Sequence, residues 1–313
     1  MERTNDNFIM LPTVDFCFKE LMQNPKVRKG FIAALLKISP EEIKETNLLP
    51  TILRKKSKDD KMGILDVRVV MDKGMQLDIE MQVAYFAHWD KRTLFYLSKM
   101  YTEQVNAGEP YEKLQKCIHV SILDFICFPN DKECYRTIHL RDDKTGEIYT
   151  DVFEIQILEL RKLPKEVKDG EDIIKWMRFF SGKEREEFKD MAKTDEYLDE
   201  AYNTLLKLSA DKQKRLEYEA REKALRDYNS QMSSAQKMGL ELGIKQGIEQ
   251  GIERGTKHTM IKLVCKKIAK NLSVSEIAEM LEQDEGTIQK IYDAAVKYAP
   301  DYDVDKIAEE LNT

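Results

Sequence analysis

No run of about 18 apolar residues occurs in the chain, which removes the signal for a transmembrane helix. The opening stretch MERTNDNFIM lacks the basic and apolar regions of a secretory leader, so a cytoplasmic protein without a membrane partner is expected. Cysteine is sparse: Cys17, Cys117, Cys127, Cys134 and Cys265 are scattered, with no C-x-x-C pair to support a zinc or redox site, and are expected as reduced, mostly buried thiols. His88, His119, His139 and His258 stand apart in sequence, which disfavours a histidine metal site. Walker-type glycine loops, H-E-x-x-H, G-x-S-x-G and the kinase motifs are all missing. A formal net charge of -6 gives no global attraction to nucleic acid, so a DNA partner would need a local basic surface.

What remains is 313 residues, 42% hydrophobic and 35% charged, enough for one sizeable core plus long polar helices. Apolar spacing predicts helices over Thr13–Gln23 and Lys26–Ile38, and SPEEI reads as a Ser N-cap with proline at the first helical position. The polar run Arg54–Lys61 reads as a loop. A hairpin over Leu65–Gln82 follows, then a helix from His88 ending at Gly108. Strand-like runs at Cys117–Phe128, Cys134–Leu140 and Asp151–Leu163 complete an α/β core of about 160 residues, with DDKTGE as a turn. The expected divisions are residues 1–165 for this core, 166–230 for a helical extension anchored by Trp176, 231–256 for a glycine-repeat helix or linker, and 257–313 for a small helical tail.

The hairpin poses the chemical question, because LDVRVVMDKGMQLDIEMQ places Asp66, Asp78 and Glu80 among apolar residues. With Asp72–Gly74 as the turn, Met71 pairs with Met75, Arg68 faces Asp78 and Asp66 faces Glu80. Arg68 is then a ready partner for Asp78, whereas Asp66 and Glu80 have none in register. Two carboxylates at that spacing suit a Mg²⁺ ion, which takes one or two protein carboxylates and completes its shell with water and phosphate oxygen. Leu65, Val67, Val69, Leu77, Ile79 and Met81 form the opposite, core-facing side. The competing reading is an amphipathic hairpin with a solvated polar face.

ILD followed by DIEMQ resembles the PD-(D/E)XK nuclease superfamily, specifically its Rpn branch of recombination-promoting nucleases and transposases. DFCFKELM, KRTLFYLSKMYTEQVNAGEPYEKL and FEIQILELRKL extend the likeness over roughly the first 165 residues. The resemblance implies a restriction-endonuclease-like mixed sheet flanked by helices, followed by an α-helical C-terminal region. It also implies Mg²⁺-dependent hydrolysis of double-stranded DNA, with Mn²⁺ as substitute. Asp66 and Glu80 match the metal-binding acids, and Asp15 matches an assisting acid on the first helix. Gln82 falls where the superfamily has lysine; a neutral amide orients water but takes no proton from it. Lys19, Arg92 and Tyr96 fall at positions suited to phosphate contacts, with helix packing as the alternative for each. The rival function is an inactive DNA-binding or assembly protein of the same fold.

Toward the C-terminus, Gly239, Gly243, Gly247, Gly251 and Gly255 recur every fourth residue beside Ile244, Ile248 and Ile252. Small residues at that spacing let helix backbones approach, so homo-oligomerisation through residues 239–255 is expected; a frayed linker is the alternative. LSVSEIAEMLEQDEGTIQKIYDAA has the pattern of a helix-turn-helix with Ile277 and Ala278 inside and Thr287 opening its second helix. Its acidic residues favour a protein contact over a DNA groove.

Overall fold

The computed structural model describes residues 7–53, 59, 61–85, 87–166 and 170–311. Of the loop expected over residues 54–61, only Asp59 and Lys61 lie inside those limits. The first apolar-periodic segments form α1 (Asp15–Gln23) and α2 (Pro25–Leu36). Asn24 separates them: its side chain accepts hydrogen bonds from the Lys26 and Val27 backbone N–H groups, and Pro25 needs no such partner. The Ser39–Pro40 signal yields a single 3-10 turn over Pro40–Glu42, closed by a Ser39/Glu42 capping box.

Among the described residues eight strands follow in part from period-two patterning: β1 (Thr46–Leu49), β2 (Ile52–Leu53), β3 (Gly63–Ile64), β4 (Val67–Met71), β5 (Gln76–Gln82), β6 (Cys117–Leu123), β7 (Tyr135–Arg141) and β8 (Ile148–Glu159). Six of them form one mixed sheet in the order β1-β4-β5-β6-β8-β7, while β2 and β3 pair separately. The β4–β5 hairpin has the expected register, with Arg68 opposite Asp78 and the Met71 N–H bonded to the Met75 carbonyl at 2.8 Å. Lys73 and Gly74, at φ 61° and 83°, supply the left-handed backbone that turns the chain there. Strands β5 and β6 are parallel and therefore need a crossover, which α3 (Trp89–Thr102) provides. This helix stops at Thr102, short of the expected Gly108, whose φ of 84° serves a separate turn.

Alternation along β5 and β6 sends Leu77, Ile79, Met81, Ile118, Val120 and Ile122 toward α1 and α2. Leu65 does not share that face. It precedes β4 and packs with Tyr96, Leu97 and Met100 beneath α3. On the α1/α2 side, α4 (Asp172–Ser181), α5 (Arg185–Ala192) and α6 (Glu196–Ala210) join the same core, with Trp176, Phe179 and Phe180 packed around Phe31 and Phe188. Truncating one of these buried rings to alanine costs about 3–5 kcal/mol in typical cores.

The chain divides into two compact units, Met1–Asn229 and Ser230–Thr313, the boundary falling within α7 (Lys212–Ile268). The glycine repeat lies within α7. In the second unit Ile261, Val264 and Ile268 pack with Ile277, Ile288 and Ile307 from α8 (Val274–Leu281), α9 (Glu285–Val296) and α10 (Val304–Glu310). Helix α9 begins at Glu285, with the Asp284 side chain accepting the Thr287 N–H. No helix among the described residues is long and apolar enough to cross a membrane.

Candidate active site

The polar face of the hairpin is buried rather than solvated, because α3 lies over it. Parallel pairing sets Asp78 beside His119 and Glu80 beside Ser121, all four buried. The His119 Nδ1 lies 2.7 Å from Asp78 Oδ2, and its Nε2 lies 2.9 Å from Ser121 Oγ and 3.3 Å from Thr93 Oγ1. Trp89 Nε1 donates to Ser121 Oγ at 3.2 Å. Burial drives His119 down to about 4, and burial followed by the nearby Asp66 charge drives Asp78 well above the carboxylate range. Burial thus favours the neutral forms of both partners in this hydrogen-bonded pair, which lowers the cost of Asp78 Oδ1 being buried without a hydrogen-bond partner among the described residues. Arg68 is not the ion-pair partner of Asp78 that strand register suggests. It turns to Glu103 at 3.1 Å and to Gln76 at 2.8 Å.

Asp66 and Glu80 are brought together, and both have partners from outside the hairpin. Asp66 occupies a bend just before β4, where its N–H donates to Glu80 Oε1 at 3.2 Å and its own Oδ2 accepts the Met81 N–H at 3.2 Å. From α1, Lys19 Nζ approaches Asp66 Oδ1 at 2.9 Å and Asp15 Oδ2 at 3.6 Å. Burial opposes the charge on Lys19, but the Asp66 and Asp15 carboxylates outweigh it and raise the ammonium pKa. Glu80 is fully buried; Oε2 accepts from Arg92 at 2.9 Å and from Gln82 Nε2 at 3.3 Å. Its burial, together with the neighbouring Asp78 and Asp66 carboxyls, pushes Glu80 up to about 8 despite the opposing influence of Arg92.

Arg92 and Tyr96 meet one another as well, the Arg92 Nε donating to the Tyr96 hydroxyl at 3.2 Å. The guanidinium lies over the Trp89 and Tyr96 rings, 5.2 Å from each centroid, and faces Glu80. Asp15, Asp66 and Gln82 instead line an open cleft of about 260 Å³, whose wall is completed by Arg221 and Leu225 of α7. A larger cavity of about 490 Å³ lies elsewhere, lined by apolar groups such as Leu97, Phe153 and Ile155, and holds none of these acids.

Carboxylate oxygens are the donor type that a hard divalent cation takes. Lys19 meets Asp15 and Asp66, Arg92 meets Glu80, and Asp78 meets His119. Lys19 already places a positive charge between Asp15 and Asp66. Among the described residues no group of three or more His, Cys, Asp or Glu side chains converges as a metal cage. A Mg²⁺ ion usually takes one or two protein carboxylates, the number that Asp66 and Glu80 would offer.

The roles of His119, Ser121, Thr93 and Trp89 are not legible in the sequence because they depend on the β5–β6 register and on the packing of α3, both non-local. Period two within β6 does place His119 and Ser121 on one face, and that was the available signal. Nothing in the charged run around Arg221 distinguishes it. The family model described as PD-(D/E)XK nuclease family transposase matches residues 12–235. No curated protein and no solved structure matches the chain.

Proposed function

The chain belongs to the PD-(D/E)XK nuclease family transposases, and from that premise we propose that it is a Mg²⁺-dependent endonuclease acting on double-stranded DNA in recombination or element mobility. The observation that carries the reading is the hydrogen bond from the Asp66 backbone N–H to Glu80 Oε1 at 3.2 Å, which sets the two acids side by side next to a cleft that Asp66 lines with Asp15 and Gln82. Asp66 and Glu80 would hold the ion, with Asp15 assisting across the cleft. A divalent cation bound there supplies positive charge to the scissile phosphodiester, with Mn²⁺ able to replace Mg²⁺.

Gln82 spans the two tasks. Its amide Nε2 fixes Glu80 and leaves the carbonyl oxygen to accept a hydrogen bond from the attacking water, a positioning role that requires no titration. Lys19 holds Asp66 and Asp15 in place until the ion arrives, and is then available to a phosphate oxygen. Arg92, backed by Tyr96, keeps the charge of Glu80 tolerable under α3. Self-association through residues 239–255 would bring two such clefts to one duplex and raise affinity by multivalency.

Nicking of supercoiled plasmid DNA tests the assignment. Cleavage should require Mg²⁺ or Mn²⁺ and vanish in both Asp66→Asn and Glu80→Ala. Undiminished cleavage by Glu80→Ala would remove this site from the reaction and leave the non-cutting DNA-binding or assembly reading in its place.

A further inference from the structure

The cations nearest the acids are already committed, Lys19 to Asp66 and Asp15, and Arg92 to Glu80. Arg221 differs. It lines the same cleft as Asp15, Asp66 and Gln82, is exposed, and makes no ion pair or hydrogen bond among the described residues. We propose that Arg221 binds the DNA backbone, its guanidinium taking the non-bridging oxygens of a phosphate drawn into the cleft. This rests on the nuclease reading and assigns it a residue from α7, outside the sheet and its flanking helices.

Placement of Arg221 is built into the start of α7. Tyr218, one helical turn earlier, is buried; its hydroxyl accepts the Leu11 N–H at 3.2 Å and its ring packs edge-on against Phe8. Lys214 pairs with Glu20 of α1, and the Arg215 guanidinium lies 3.9 Å over the Phe8 ring. These contacts tie the helix to the segment leading into α1 and to α1 itself, the element that carries Asp15 and Lys19. Residues three and four apart share a helix face, so Leu225 follows Arg221 along the cleft wall. A planar fork of donors suits a phosphate bidentately, and in an acidic cleft it offsets the repulsion that Asp15 and Asp66 present to a polyanion.

Binding of a short fluorescein-labelled duplex, measured by anisotropy in Ca²⁺ over a series of salt concentrations, tests this without turnover. Arg221→Ala should weaken binding roughly tenfold at low salt, as expected for loss of a charged hydrogen bond. It should also reduce the slope of log K against log salt by about 0.9, one phosphate contact. Arg221→Lys should keep the slope and lose part of the affinity, an outcome that a merely structural role does not produce. Glu80→Ala should abolish nicking while preserving the slope. Wild-type affinity and slope in Arg221→Ala, with wild-type protein that binds and nicks, overturn the inference alone. Wild-type protein that neither binds nor nicks removes the nuclease reading and this inference with it.

Discussion

The Arg92 guanidinium stands 2.9 Å from the Glu80 carboxylate and is its only permanent cationic partner among the described ion pairs. A carboxylate buried this deeply depends on that contact, since the other hydrogen bonds to it come from the neutral groups Asp66 N and Gln82 Nε2. Arg92→Ala is expected to cost about 3 kcal/mol when Glu80 is ionised. Protonation of Glu80 offers an escape, so the penalty should shrink at pH values below about 8. Urea unfolding of wild type and variant on either side of that pH measures both effects, and a pH-independent difference would show that Arg92 acts through packing alone.

The same burial makes stability depend on pH without metal. From 4.5 to about 8 the folded chain retains a proton on Glu80 that the unfolded chain has released, so stability falls as pH rises through that window. Asp78, also raised, contributes in the same direction. His119 works oppositely: between about 4 and 6.5 the unfolded chain binds the extra proton, and stability rises with pH. His119 cancels only one of the two carboxyl contributions on the acid side, so stability already falls there and falls more steeply from 6.5 to about 8. The urea midpoint of metal-free protein should fall over that interval, and Glu80→Gln should flatten the profile. A flat wild-type profile would mean that Glu80 is ionised despite its burial.

The contrast between Asp66 and Asp78 shows what was legible in sequence. Local information sufficed for the hairpin: the DKG turn fixed its length, and period two then placed Arg68 opposite Asp78. It also separated Leu77, Ile79 and Met81 from the acids. The actual partners come from elsewhere in the chain, Lys19 for Asp66, Arg92 for Glu80 and His119 for Asp78. Each depends on how α1, α3 or β6 packs against the hairpin, and no local periodicity encodes that. Arg68 illustrates the error this produces, for its strand neighbour is Asp78 while its guanidinium reaches Glu103 on the turn after α3. Family resemblance identified the acids by motif, but it had no means of finding Arg221.

Asp78 and Glu80 are both buried acids two residues apart, yet substitution should affect them differently. Asp78 sits in a neutral pair with His119, so Asp78→Asn preserves a hydrogen-bonding group of the same size and should cost less than about 1.5 kcal/mol. Metal-dependent nicking should survive. His119→Ala removes the partner and leaves a cavity, for an expected loss of about 3 kcal/mol. Chemical denaturation with parallel nicking assays checks both, and loss of nicking in a fully folded Asp78→Asn protein would place Asp78 within the site.

Glycine spacing in α7 leads to the last prediction. An alanine Cβ at Gly239, Gly243, Gly247, Gly251 or Gly255 would meet nothing within 4 Å of the same chain, so no internal contact explains these residues. Each should weaken the helix by about 1 kcal/mol relative to alanine. Ile244, Ile248 and Ile252 beside them are 54%, 56% and 64% exposed, an apolar stripe uncovered within the single chain. Close pairing with a second copy accounts for both features, because backbones approach only where Cβ atoms are missing. Gly243→Ala with Gly247→Ala should therefore raise the helix melting temperature and lower the assembly state. Sedimentation equilibrium of the full chain should give a dimer or larger species for wild type and monomer for the double variant. An unchanged mass would take the glycines out of the seam, and a monomeric wild type would end the case for association through residues 239–255.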